Sequence, residues 1–153
     1  MIQKARNHLE VLMPLIAVTV ASPHKHMPEK DRIATEVSRL SSTILRKDPK
    51  VTAVIVTLVP PEDWFCAGRS LAEAKLASFW LDIHITDGSN TKDEKAAFIA
   101  AAYRSMKALI GPLHEESYVH VHDVRDDAYG FGGLTQGRRY IEAHLLSQTS
   151  SAA

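Results

Sequence analysis

The sequence is built twice over, and that duplication limits the fold more than any other feature of the chain. The apolar run from Val51 to Val59 leads into Trp64-Phe-Cys-Ala-Gly68. The run from Tyr118 to Val124 leads into Tyr129-Gly-Phe-Gly-Gly133. Trp64 and Tyr129 stand 65 residues apart, as do Gly68 and Gly133. Upstream, Glu29-Lys-Asp-Arg32 matches Lys92-Asp-Glu-Lys95 at a spacing of 63, and so do Ile16, Val18, Val20 with Phe79, Leu81, Ile83. Recurrence on this scale marks a repeated supersecondary unit. Its order here is strand, helix, strand, aromatic–glycine turn.

Each piece has its own local signature. Leu15 to Val20 and Phe79 to Ile85 alternate with the period of a half-buried strand. In Glu29 to Arg46, the residues Ile33, Val37, Leu40 and Ile44 recur at helical spacing, with Pro28 suited to the first helical position. In the second helix Ile99, Ala102, Met106 and Leu109 form the apolar stripe. Thr91 with Glu94 reads as a capping box, and Gly111-Pro112 ends that helix. A strand–helix–strand unit crosses over right-handedly and leaves its two strands parallel. Two such β-α-β units side by side give an α/β (α+β sandwich) fold, a four-stranded sheet with two helices on one face. The opposite face is then bare and must be covered, most simply by other subunits. A ferredoxin-like α/β dimer, which also carries two β-α-β units, is the competing architecture.

The expected organisation is an N-terminal extension at 1–12 and one domain at 13–147. That domain holds units 14–75 and 76–140 and a C-terminal arm at 136–147, whose Tyr140, Ile141, Leu145 and Leu146 suit docking. A disordered tail follows at 148–153. The 153 residues suffice for one buried core, and 45% hydrophobic with 24% charged is ordinary for a globular protein. Lys+Arg and Asp+Glu both number 18, so the basic face that nucleic acid demands is not indicated. No apolar run approaches the roughly 20 residues of a membrane span, and the N-terminus lacks the apolar stretch of a signal peptide. Cys66 is the only cysteine, which fits a cytoplasmic protein. Phe65 is expected in the core, and Cys66, with no neighbouring base in sequence, as an inert buried thiol.

The string Met13-Pro-Leu-Ile-Ala-Val-Thr-Val20, the helix opening near Glu29-Lys-Asp-Arg32, and the strand with its aromatic–glycine turn resemble 4-oxalocrotonate tautomerase and its relatives. The doubled length resembles the fused members of that superfamily, such as macrophage migration inhibitory factor, malonate semialdehyde decarboxylase and cis-3-chloroacrylic acid dehalogenase. The similarity runs from about residue 13 to 140. The resemblance implies a homotrimer with sheets around a central barrel, and an amino-terminal proline as the reactive group. Pro14 matches that proline, and Ala77 occupies the equivalent place in the second unit. It implies keto–enol isomerisation of small, carboxylate-bearing 2-oxo or 2-hydroxydienoic acids, with no cofactor. Relatives with a cationic proline act instead as dehalogenases or decarboxylases. A non-catalytic trimeric binding protein is the third alternative, should residues ahead of Pro14 stay in place. A proline nitrogen inside a chain is an amide, so Pro14 acts as a base only if residues 1–12 are a misassigned start or processed leader and Met13 is removed.

The other site residues follow the family pattern only in part. Trp64 and Tyr129 match the aromatic that walls the pocket, although an aromatic before a glycine turn is often plain packing. Where relatives carry loop arginines, this chain has His24, Lys25 and His26, and then Asn90, Thr91 and Lys92. Ile55 and His120 stand at the arginine-or-tyrosine position of the second strands. His120 is thus the candidate for polarising the substrate or moving a proton. Asn90, Lys92 and Arg69 are the candidate carboxylate ligands, with Arg138 and Arg139 as alternatives.

One further constellation comes from periodicity alone. If Leu81, Ile83, Ile85, Val119 and Val121 face the helices, then Asp82, His84, His120 and His122 share the opposite face. A His-x-His strand has the spacing of a metal chelate. The more ordinary reading is a set of hydrogen-bonded polar groups inside an assembly, and no metal is assigned. His24 and His26 fit a surface loop, while His8, His114 and His144 carry no signal.

Overall fold

A computed structural model describes residues 13–152. The expected leader at 1–12 and Ala153 lie outside the described residues. The chain runs through β1 (Leu15–Ala21), α1 (Lys30–Leu45) and β2 (Ala53–Leu58), then a small hairpin of β3 (Phe65–Cys66) and β4 (Arg69–Ser70) and a single turn α2 (Leu71–Ala74). The order then recurs as β5 (Ser78–Thr86), α3 (Lys92–Ile110), β6 (Tyr118–Val124), a hairpin of β7 (Gly130–Phe131) and β8 (Leu134–Thr135), and α4 (Gln136–Ser151).

The large sheet has the order β2-β1-β5-β6. Within each unit the strands are parallel, β1 with β2 and β5 with β6, and the units meet through the antiparallel pair β1–β5. This is the four-stranded α+β arrangement expected from the repeat. Both helices lie against one face, and Ser105 Oγ on α3 donates to Glu36 Oε1 on α1 at 2.8 Å. Between helices and sheet sits one core, in which Ile16, Val18, Ile33, Val37, Phe79, Leu81, Ile83, Phe98 and Met106 are essentially fully buried. The alternation of Leu81, Ile83 and Ile85 inward, with Val119 and Val121 packed against them, follows the sequence reading.

The local details correct it in several places. In α1, Leu45 is buried and Ile44 only partly so. The helix opens at Lys30 with Glu29 as its cap, so Pro28 precedes the cap instead of filling the first turn. In α3 the capping box of Thr91 and Glu94 forms with both reciprocal bonds. Its inward stripe, however, contains Phe98, Ala101, Ala102, Met106 and Ile110, and Ile99 is exposed. Phe98 lies four residues before Ala102 and eight before Met106, on the buried stripe, whereas Ile99 is turned about 100° away from it. Phe65 is also exposed, since in the hairpin it faces away from the cluster that Cys66 joins. The tail is helical to Ser151, beyond the Ser147 where disorder is expected, with Thr135 Oγ1 accepting from Arg138 N at 3.1 Å as its cap.

The two hairpins turn identically. Ala67 and Gly68 have φ of 52° and 76°, and Gly132 and Gly133 have 60° and 82°. Two consecutive positive φ values are what a tight two-residue hairpin of this hand requires, and they explain the aromatic–glycine signature. Among the described residues no helix is long and apolar enough to cross a membrane.

Candidate functional site

Pro14 is buried immediately before β1, and its carbonyl accepts from Ala53 N at 3.3 Å. A proline suits the head of a strand, where its missing N–H breaks no ladder bond. Leu15 pairs with His84 across the antiparallel junction, so the end of β5 lies beside the start of β1. Tyr129 also comes to this end, because its hydroxyl and Thr86 Oγ1 lie 2.7 Å apart. Burial raises the Tyr129 phenol above its ordinary pKa. The Thr86 bond opposes that shift and the charge of Asp126 adds to it. The loop after β5, with Asn90 and Lys92, sits at the same end. Pro14, Tyr129, Asn90 and Lys92 thus stand at one end of the sheet, but the Tyr129 hydroxyl meets Thr86, which has the parity of the bare face, and Pro14 has the parity of the buried one.

Their availability differs. Asn90 is 9% exposed, and its amide donates to Leu45 O at 3.1 Å and to Glu94 Oε2 at 2.8 Å. Those bonds give it the work of joining α1 to α3. Glu94 in turn takes bonds from Arg46 and Asn90, which hold its carboxyl down at about 2. Lys92, exposed at the head of α3, remains a cation open to solvent at this end. Lys47 was not singled out from sequence; it is 2% exposed, and its Nζ donates to Ser89 Oγ at 3.0 Å.

Trp64 and Arg69 lie at the other end. Trp64 packs on the small cluster of Ala21, Cys66 and Leu71, next to where β1 finishes. The six residue steps of β1 separate that cluster from Pro14 by about 20 Å. Arg69 is exposed, and its guanidinium donates to Glu73 O at 2.9 Å. Within a protomer, therefore, neither residue shares a pocket with Pro14. Cys66 is buried, and desolvation, then the charge of Glu116, pushes its thiol up. It does have a base nearby, since the ligating atoms of Cys66, His114 and Glu116 lie within 4.8 Å of one another. A contact across 48 residues leaves no local mark in sequence. His24, in the first loop, is tucked against Gly111 and Pro112, and Lys25 and His26 are exposed.

His120 lies on the bare face. Successive rows across the sheet read Ala53–Leu15–His84–His122, Ile55–Ala17–Asp82–His120, and Thr57–Thr19–Trp80–Tyr118. Pro14 has the parity of Ile16, which points into the core, and β5 intervenes between β1 and β6. His120 and Pro14 are therefore on opposite faces, two strand spacings or ~10 Å apart across the sheet, and their rows are three residues, another ~10 Å, apart along it. The face is apolar at its margins, with Leu15, Ile55, Trp80 and Tyr118 all about half exposed. At its centre Asp82 Oδ1 meets His122 Nε2 at 2.9 Å, His120 Nδ1 at 3.2 Å and Trp80 Nε1 at 3.2 Å. Trp80 Nε1 also donates to His120 Nδ1 at 3.3 Å. His84 stacks on His122 with ring centroids 4.5 Å apart. Burial raises the Asp82 pKa, but the bond from His122 and the nearby imidazoles outweigh it and leave the carboxyl lowered.

No protein-family model and no curated protein matches the chain. Solved structures do. A fused 4-OT solved as a symmetric trimer superposes with a TM-score of 0.67 at 21% identity, covering 80% of this chain and 96% of its own. Pt0534 inactivated by 2-oxo-3-pentynoate gives 0.69 at 14%, covering 82% and 98%. A macrophage migration inhibitory factor-like protein from Entamoeba histolytica gives 0.64 at 16%, covering 80% and 97%. With the parallel pairs, the antiparallel junction and the twin hairpins, these likenesses give the conclusion that the chain has the tautomerase-superfamily fold in its fused, double β-α-β form.

Proposed function

We propose that this protein is a keto–enol tautomerase for small 2-oxo or 2-hydroxydienoic acids, with Pro14 as general base once the residues ahead of it are removed. The observation that carries the reading is the position of Pro14, buried at the head of β1, in a fold shared with the fused 4-OT proteins. A free amino-terminal proline is a secondary amine, protonated in water at neutral pH. Apolar walls and neighbouring cations disfavour the ammonium and leave a neutral base. Such a base takes a proton from the enol hydroxyl or from carbon α to the carbonyl and returns it at the other position. Beyond that, the reaction needs a cation for the carboxylate and a hydrogen bond for the developing enolate oxygen.

In this reading Tyr129 walls the pocket from the same chain and Lys92 attracts the carboxylate. Trp64, Arg69 and His120 contribute only if a second protomer presents them to Pro14. A homotrimer meets that need, and it also covers the bare apolar face and the exposed Tyr140, Ile141, Leu145 and Leu146 of α4. The trimeric state of the fused 4-OT neighbour supports this assembly.

The test is ketonisation of phenylenolpyruvate and 2-hydroxymuconate by protein beginning at Pro14. Pro14→Ala should lower kcat/KM by about 10²–10⁴-fold, the usual range for a general base. Turnover unchanged by that substitution would remove Pro14 from the mechanism.

A further inference from the structure

The centre of the bare sheet face has the geometry of a metal chelate, although neither the fold nor the proposed reaction asks for one. Two imidazole nitrogens on one strand, His120 Nδ1 and His122 Nε2, converge on the same carboxylate oxygen of the adjacent strand, Asp82 Oδ1, at 3.2 and 2.9 Å. All three ligating atoms lie within 4.8 Å of one another. A tetrahedral zinc ion, with bonds of about 2.0–2.2 Å, holds its ligand atoms about 3.3–3.5 Å apart. The cluster needs only small rotations about side-chain bonds to open to that spacing.

The backbone accounts for the convergence. His120 and His122 are two residues apart on β6, so both project to one face, and the register places Asp82 directly opposite His120 and His84 opposite His122. The ring of His84 stacks on His122 at an interplanar angle of 10°, which holds that imidazole edge toward Asp82. Trp80 Nε1 directs its one N–H between Asp82 Oδ1 at 3.2 Å and His120 Nδ1 at 3.3 Å, which holds both atoms at the same spot. Unlike a group of surface carboxylates, this set mixes two imidazoles with one carboxylate, the ligand types that borderline divalent ions prefer.

We infer that Asp82, His120 and His122 bind one divalent first-row transition ion per chain, with zinc as the representative. Three protein ligands leave at least one coordination position for water or a small anion. Three copies of this face turned toward a common axis would carry three such ions. The inference is independent of the tautomerase reading and stands if Pro14 proves inert.

The experiment is a calorimetric titration of Zn2+ into the chelator-treated full-length protein, repeated on Asp82→Asn, the His120→Ala/His122→Ala double variant and Cys66→Ser. The expected result is saturable binding of one ion per chain. It should weaken at least ~10-fold in the Asp82 and double-histidine variants, since even loss of an outer contact costs 10–100-fold. Cys66→Ser should bind as the unaltered protein does. Substitution with Co2+ gives a readout that needs no variant: an absorption spectrum without thiolate charge-transfer bands is expected. No saturable binding, binding retained by the double-histidine variant, or a thiolate–cobalt band assigning the ion to Cys66, His114 and Glu116 would each overturn the inference.

Discussion

The two ends of the central sheet are built by the same repeat and finished differently. At one end stands Pro14, which has no N–H to give and whose carbonyl accepts from Ala53 N. At the other end the counterpart Ala77 is fully buried and stitched in from both sides. Ala77 N donates to Pro112 O at 2.9 Å, and Ala77 O accepts from His114 N at 2.7 Å. Ser78 Oγ adds a bond to Glu116 O at 3.0 Å. The hairpins follow the same division, with Tyr129 beside the open end and Trp64 beside the closed one. Duplication thus supplies two equivalent frameworks, and at one of them the nitrogen, that of Ala77 in mid-chain, stays an amide whatever the residue.

That contrast can be broken by experiment, the largest effect coming from the closed end. Ala77→Pro removes the donor to Pro112, so it should cost about 1–3 kcal/mol from the orphaned carbonyl alone, read by urea denaturation. It should create no second active site, because the new nitrogen would remain an amide. A neutral outcome would mean the two ends are more alike than their bonding indicates. The helices offer a smaller test. Thr91→Ala removes the capping box of α3 and should cost ~1 kcal/mol, whereas Glu29 caps α1 with no side-chain bond and Glu29→Ala should change stability by less than about 0.5 kcal/mol. Equal losses would contradict the difference in capping.

The smallest effect concerns pH. Hydrogen bonds from Arg46, then Asn90, hold the Glu94 carboxyl at about 2, below its ordinary 4.5. A lowered folded-state pKa adds stability above the unfolded value, and that contribution drains away as pH falls through the folded one. Between pH 4.5 and about 2 the Glu94→Gln protein should therefore lose stability less steeply than the unaltered chain, followed as Tm against pH. Parallel curves would show that the Glu94 bonds do not bear on stability.

Much of the fold was legible because it rests on short-range signals repeated twice. Strand alternation, the capping box of Thr91 and Glu94, and the aromatic–glycine turns each have a local cause, and recurrence of the unit at spacings of 63 and 65 residues made them mutually supporting. The errors came where tertiary geometry outweighed local pattern. Ile99 gave way to Phe98 because Phe98, not Ile99, stands one turn before Ala102 on the stripe that the sheet buries. Phe65 was misplaced because a two-residue strand has too little period to assign faces. The bonds of the Asn90 amide to Leu45 and Glu94 across the helix pair likewise had no mark in sequence. The union of Asp82 with His120 and His122 was visible from strand parity, whereas the neighbours of Cys66 and the partner of Tyr129 were not, since no rule of spacing links Cys66 to His114 or Tyr129 to Thr86. Lys47, buried against Ser89, has no sequence signal at all.

The account turns on whether the nitrogen at position 14 titrates. Its most direct test compares the full chain with the same chain beginning at Pro14, measuring kcat/KM for phenylenolpyruvate across pH with the mass of each protein verified. Activity confined to the shortened protein, on a pH profile with an ascending limb from deprotonation of an amine, is the predicted result. Equal turnover by a chain that still carries residues 1–13 would contradict it.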